Sequence, residues 1–467
     1  MATGVVHYGA TPMNDKTLLN FDDIPDWAWE IAERYDLIPL SESPYTGAMA
    51  LVMDAAYDLR KLSGRVRSAR PRAAMIAAHV RTLSPGPLND PYRRRCVHTR
   101  GLILTGTPMS SLTERKARLI VHGDQPYNAE PPLDRLRASY RTAAKDFYVR
   151  SHGNLPDLDE ATWRLTVDGG TGTALELSLS ELQACFPETT VTATMQCAGN
   201  RRADMRAVAP VSGDPWDAGA IGTAEWTGVR LVDVLREAGV AERKGLHVAF
   251  ESHDTVEGHP YGVSVPLAKA MAPETLLAYA MNGEALLPEH GFPVRAVVPG
   301  FAGVRSPKWL RRLSVQDHPS DNPIQAGDYK LYPADVTAET ADPANGHTID
   351  TMPLNAAICE PARGAILQPG GNQVRGYAVS GDRAIVRVDV SGNGGRSWVQ
   401  AELEHEADAP FAWAFWSTNL DLCPGEHELA VRAWDEAGQT QPALPDETWN
   451  HKGYLCACWH RVRVNVT

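Results

Sequence analysis

The chemistry available to this chain is concentrated in one short run. Cys197 stands in Met195-Gln196-Cys197-Ala198-Gly199-Asn200-Arg201-Arg202, after the strand-like Thr190-Val191-Thr192-Ala193-Thr194. A thiol at the point where a strand gives way to a small, flexible Ala-Gly pair is poised for chemistry. Nearby positive charge favours the thiolate, the form that acts as nucleophile or metal ligand. Arg201 and Arg202 could also clamp a small oxyanion through charge-assisted hydrogen bonds. The run therefore points to one soft anionic ligand beside an anion clamp. The same residues also allow a buried structural cysteine with solvated arginines.

The elements that must position this run are read from pattern. At 467 residues the chain exceeds one ordinary core, and two or three domains are expected. Hydrophobic content of 43% with 22% charged residues reads as soluble and globular. A formal charge of -12 argues against general nucleic-acid binding while leaving room for a local cationic pocket. No apolar run is long enough for a membrane span, and residues 1–20 lack the order of a secretion signal. Seven scattered cysteines fit a reducing compartment, so a cytoplasmic location is expected.

Residues 1–118 read as a helical extension and a basic linker. Trp27, Ile31 and Tyr35 recur at helical spacing, as do Ile76, Val80 and Leu83. Residues 119–332 have a mixed α and β texture. Thr162 to Val167, His247 to Phe250 and Val294 to Val298 read as strands, and Leu231-Val232-Asp233-Val234-Leu235 opens a helix that stops at Gly239. Residues 333–467 show short alternating strands separated by turns, which points to an immunoglobulin-like β-sandwich. The predicted class is α+β. Cys456-Ala457-Cys458 is read as part of a terminal strand with both thiols on one face.

With these runs in view, the chain from about residue 119 onward resembles the sulfite oxidase family of molybdopterin enzymes. The matching segments include Pro126-Tyr127-Asn128-Ala129-Glu130-Pro131-Pro132, Gln196-Cys197-Ala198-Gly199-Asn200-Arg201-Arg202, His290-Gly291-Phe292-Pro293-Val294-Arg295, Asp328-Tyr329-Lys330 and Trp459-His460-Arg461-Val462, in family order. The resemblance implies a molybdopterin-binding catalytic domain over 119–332 and a dimerisation domain over 333–467. It implies one molybdenum-molybdopterin per chain, with Cys197 giving its thiolate to the metal. Tyr148, Arg150, His152, Asp254, His290, Arg295, Ser306 and Lys308 resemble the family's pterin-holding set.

For the reaction, the resemblance implies a two-electron oxo transfer that converts sulfite to sulfate. Arg150 and Arg202 would hold the dianion, Trp216 would line the pocket, and Tyr329 would stand beside the metal and pass a proton. Tyr329 also favours sulfite over nitrate, because family nitrate reductases usually carry Asn there. One departure bears on substrate binding. The family's usual Trp-Asn-Leu-Arg-Gly reads Trp449-Asn450-His451-Lys452-Gly453, so Lys452 keeps the charge and loses the bidentate fork.

No haem domain is expected, since neither His259-Pro260 nor His318-Pro319 is followed by a glycine pair. Electrons would then pass to oxygen or to a separate cytochrome or other carrier. A homodimer is expected from the C-terminal domain. Two other readings stay open: reduction of nitrate or another small oxyanion, and a non-catalytic molybdopterin-binding or docking protein.

Overall fold

The computed structural model describes residues 111–467. The helical extension and basic linker expected over 1–118 lie outside the described residues, apart from the short stretch that begins at Ser111. There Ser111 caps the helix Leu112–Lys116, its side chain accepting from the Glu114 N–H while the Glu114 carboxylate accepts from the Ser111 N–H.

Two five-stranded sheets make up the N-terminal part of the described residues. In the first, Glu188–Gln196 pairs with Ile221–Arg230, which pairs with Leu276–Met281; Glu284–Ala285 and Arg295–Val297 flank that last strand. The second runs Leu175–Leu177, Leu165–Gly169, Leu310–Gln316, His247–Val256, His259–Pro266, and only the Leu165–Gly169 and Leu310–Gln316 pair is parallel. The helix Leu231–Glu237 buries Leu231, Val232, Val234 and Leu235 on one face, as its spacing predicts. It packs into the same core as Val248, Phe250, Val263, Leu310 and Leu313. Each such side chain, fully buried, contributes about 1.5–3 kcal/mol of transfer free energy.

The C-terminal part is two antiparallel-rich sheets face to face. One holds Asn355–Glu360, Gly370–Val379, Ala414–Leu422 and Glu402–Glu404; the other holds Ile366–Leu367, His460–Val466, Gly425–Asp435, Ile385–Ser391 and Val399–Gln400. Period-two alternation is plain in His460–Val466, where Val462, Val464 and Val466 point inward and Arg463 and Asn465 outward. Their partners in the core include Val374, Trp416, Leu429 and Val431. The expected terminal strand begins only at His460, so Cys456 and Cys458 lie in the loop before it. Their sulfurs are nonetheless 3.7 Å apart. A loop, not strand alternation, brings them together.

Candidate active site

The end of one strand sets the site. Glu188–Gln196 is exposed at its start and buried over Ala193 to Gln196, because only its far end lies under the rest of the domain. Past Gln196 the pairing continues as Cys197 N–H donates to Ala220 O at 2.9 Å, and then the chain turns, with Asn200 N–H on Cys197 O and Arg202 N–H on Gly199 O, both at 3.0 Å. Arg201 takes the left-handed conformation, φ 64°. Asn200 pins the turn: its Oδ1 accepts Ala220 N–H at 3.0 Å and its Nδ2 donates to the Tyr377 hydroxyl at 3.1 Å. Tyr377 comes from the C-terminal sandwich, so that domain braces the turn.

Cys197 opens on a cavity that gathers most of the residues singled out by the resemblance. Tyr148, Arg150 and His152 enter from one segment, Asp254 from the end of His247–Val256, His290 and Arg295 from the next, and Ser306, Lys308 and Tyr329 close it. The cations are held by neutral groups. Arg295 donates to His290 O at 2.9 Å, Ser306 O at 3.0 Å and the Met195 sulfur at 3.0 Å. Lys308 donates to Ser151 Oγ at 2.9 Å and Glu289 O at 2.8 Å. Arg150 donates to Asn128 Oδ1 at 3.2 Å and to the Ser151 carbonyl. Among the described residues, no carboxylate makes an ion pair with Arg150, Arg295 or Lys308. Glu289, which also lines the cavity, is taken by Arg115 through two hydrogen bonds of 2.5 and 2.9 Å.

Burial sets the protonation of this cavity. It lowers Arg295 to about 10 and pushes Lys308 down and Asp254 up. Burial also holds His290 at about 4, so the imidazole is neutral and donates from Nε2 to Ala144 O at 2.7 Å. For Cys197 the expectation that neighbouring cations favour the thiolate is only partly met. Burial raises the thiol, and it outweighs the opposing pull of Arg150 and Arg202 and the Gly199 N–H on Sγ at 3.4 Å. The thiolate therefore needs a further cation beside it, which a bound metal supplies.

A second cavity shares Arg150 and His152 with the first and opens outward. Arg202, Lys452 and Tyr454 line it, with Asp214 and Asp328 as carboxylates. Arg202 is locked in place: Nη1 donates to Asp214 O at 2.9 Å and Nε to Lys452 O at 3.2 Å. Two glycines at positive φ, Gly213 and Gly453, lie so close that an added Cβ would fall 2.8 and 2.6 Å from the Arg202 side chain. Lys452 Nζ lies 3.7 Å from Asp328 Oδ1. Tyr329 stacks on Tyr454 with centroids 5.0 Å apart, and its hydroxyl meets His152 Nε2 at 2.7 Å.

Two expected members are elsewhere. Arg201 points away from the cavity and is fully buried; it pairs with Asp204 at 2.9 Å and donates to Asn355 Oδ1 and Cys458 O. Its left-handed φ turns the side chain opposite to that of Arg202. Trp216 lines neither cavity: it is fully buried, edge-on to His122 with centroids 4.8 Å apart. Tyr261, Tyr454, Glu289 and Asp328 line the cavities and were not singled out in the sequence. Tyr454 directly follows Lys452-Gly453, Asp328 directly precedes Tyr329 and Glu289 directly precedes His290, and that adjacency was the signal available.

Residues 152–324 match the family model described as oxidoreductase molybdopterin binding domain, and residues 346–467 match the Mo-co oxidoreductase dimerisation domain. Sulfite oxidase of Gallus gallus is 43% identical over 364 residues, 76% of this chain and 79% of the relative. The chain belongs to the sulfite oxidase family of molybdopterin oxidoreductases. Sulfite oxidase of Arabidopsis thaliana is 37% identical over 75% of this chain and 95% of its own length. Nitrate reductase [NADH] 1 of Oryza sativa is also 37% identical, but the match spans only 41% of that protein. Among solved structures, the sulfane dehydrogenase SoxCD of Paracoccus pantotrophus aligns with a TM-score of 0.65 and 26% identity, over 81% of this chain and 96% of that one.

The cavity fits the family's molybdopterin cofactor on its own chemistry. Arg150, Arg295 and Lys308 take only neutral hydrogen-bond partners, which leaves their charge for an anionic group, and Cys197 offers a soft sulfur ligand in the same cavity. Gly303 packs directly against that wall, since a Cβ there would lie 2.8 Å from the Tyr148 hydroxyl and 3.1 Å from Gln196 O. The chain is thus an oxidoreductase whose cofactor is molybdenum held by molybdopterin.

Proposed function

We propose that this chain oxidises sulfite to sulfate. The observation that carries the reading is the shared wall of the two cavities, where Arg150 and His152 face both the Cys197 cavity and the Arg202–Lys452 mouth. In this reading Tyr148, Arg150, His152, Asp254, His290, Arg295, Ser306 and Lys308 hold the cofactor and Cys197 ligates the metal. When bound, molybdopterin supplies a two-electron redox centre.

The chain's own residues do the rest. Arg150, Arg202 and Lys452 draw a small dianion into the mouth and fix its approach, an electrostatic and positional contribution. Burial raises the Tyr329 hydroxyl and, with Arg150 and Lys308, keeps His152 well below its usual range. A phenol that keeps its proton thus meets a neutral imidazole, and the pair can hold or move one proton at the Tyr329 oxygen. Trp216 packs in the same buried cluster as Tyr148 and Cys197 and supports that side of the Cys197 cavity from within the core.

The domain division at 118 and 332, the immunoglobulin type of the C-terminal sandwich and its use in a homodimer belong to the same proposal. Exposed Ile366, Val386 and Val399 on the sandwich are compatible with such an interface. Electron transfer to oxygen or a separate carrier, and the cytoplasmic location supported by the scattered cysteines, complete it. Metal analysis joined to sulfite-dependent dye reduction tests the activity: one molybdenum per chain with sulfite turnover is expected. Molybdenum with nitrate turnover and none with sulfite would replace sulfite by nitrate as substrate.

A further inference from the structure

Cys456 and Cys458 take no part in the reaction above, yet they sit at the base of the segment that builds its mouth. Both are buried, 2% and 1% exposed, and they pack with Met205 beneath the partly buried Val211 and Trp449. Their sulfurs are 3.7 Å apart. Arg201 grips the pair from the other side, donating to Cys458 O at 2.7 Å and to its sulfur at 3.5 Å. Of two adjacent arginines, one therefore holds the thiols and the next holds the anion mouth.

The residues just before the pair connect it to the mouth. Lys452 and Tyr454 line the mouth, Gly453 lies against the Arg202 stem, and Tyr454 stacks on Tyr329. Leu455, in the left-handed region at φ 55°, donates its N–H to Ala198 O at 2.8 Å, next to Cys197. We infer that Cys456 and Cys458 form a reversible disulfide that loosens anion binding at this mouth, an inference resting on the sulfite-oxidising reading above. A disulfide is about 2.05 Å long, so closing it draws the loop together and pulls on Gly453 and Tyr454. Nothing but the absence of a Cβ lets Gly453 lie where it does, so a small shift moves the Arg202 fork.

The oxidant is a peroxide. The Cys458 thiolate attacks one peroxide oxygen; the O–O bond breaks, hydroxide leaves and takes up a proton, and the sulfur becomes a sulfenic acid. The Cys456 sulfur then displaces the hydroxyl, which leaves as a second water, and the S–S bond forms. Two thiols have lost two electrons to the peroxide, and a dithiol reductant reverses the change. The hydrogen bond from Cys456, aided by Arg201, lowers the Cys458 thiol, which suits it to attack first.

The test uses the molybdenum-loaded full chain, treated with hydrogen peroxide, freed of it by catalase, alkylated and mapped by mass spectrometry. A Cys456–Cys458 disulfide is expected, together with a rise of about five-fold in the KM for sulfite, the weight of one lost contact, and little change in kcat. Dithiothreitol should restore the KM. Cys456→Ser and, independently, Cys458→Ser should keep the untreated KM and lose the response to peroxide. Thiols that stay fully alkylatable after peroxide, or a mapped disulfide with an unchanged KM, would overturn the inference. Absence of sulfite turnover before oxidation would instead overturn the activity reading, because the mapping does not depend on turnover.

Discussion

Arginines serve opposite ends in the two halves of this molecule. In the C-terminal sandwich the carboxylates and cations arrive together. Asp389, fully buried, takes Arg387 at 2.7 Å and Arg432 at 3.2 Å, and Glu428 takes Arg461 at 2.7 Å. In the Cys197 cavity the hydrogen-bond partners of Arg150, Arg295 and Lys308 are only carbonyls, a hydroxyl, an amide and a thioether. A buried charge without a counter-ion costs stability, so a fold keeps one where it does something else. The sandwich completes its electrostatics within the chain, whereas the cavity leaves them to be completed by an anion.

Substitutions should separate these two uses, and the largest effect belongs to the cavity. Cys197→Ser should abolish sulfite turnover in dye-reduction assays, since a hydroxyl is a poor substitute for a thiolate ligand. Arg295→Met should reduce cofactor content by about ten-fold or more, as expected for loss of a charge-assisted anion contact, read by elemental analysis. The metal-free variant should nevertheless unfold in denaturant no earlier than the metal-free parent; a clear loss of stability would mean that Arg295 is structural, like the sandwich arginines.

The sandwich should answer in the opposite way. Arg432→Gln leaves Asp389 under-paired and removes a guanidinium lying over Trp398 at 4.0 Å. It should cost about 1–3 kcal/mol of stability in denaturant titrations and leave cofactor content alone. Acidification provides a further contrast. His290 is neutral with a folded pKa of about 4, below the unfolded value of about 6.5. Its contribution is complete above pH 6.5 and is lost as pH falls towards 4, at about 1.4 kcal/mol per pH unit for one group. Denaturant titration of the metal-free protein at pH 7 and pH 5 should show the loss, and His290→Gln should lessen it. The smallest effect concerns the mouth: Lys452→Arg should lower the KM for sulfite about three-fold by restoring a bidentate fork. An unchanged KM would place Lys452 outside the substrate's reach.

Much of this was legible in the linear chain because it depends on residue identity and local period. Alternation marked His460–Val466, helical spacing marked Leu231–Glu237, and the run around Cys197 marked the soft ligand with its neighbouring cations. The tertiary structure alone decided which of two adjacent arginines faces the mouth, because a single left-handed φ at Arg201 sends its side chain to Asn355 and Cys458. It likewise withdrew Trp216 into the core, brought Tyr454 onto Tyr329, and set the two late cysteines in a loop with their sulfurs in contact. Residue type and spacing determine what chemistry a chain can carry. Side-chain direction and the pairing of distant charges depend on backbone torsions and on contacts made across hundreds of residues, and these exist only once the chain has folded.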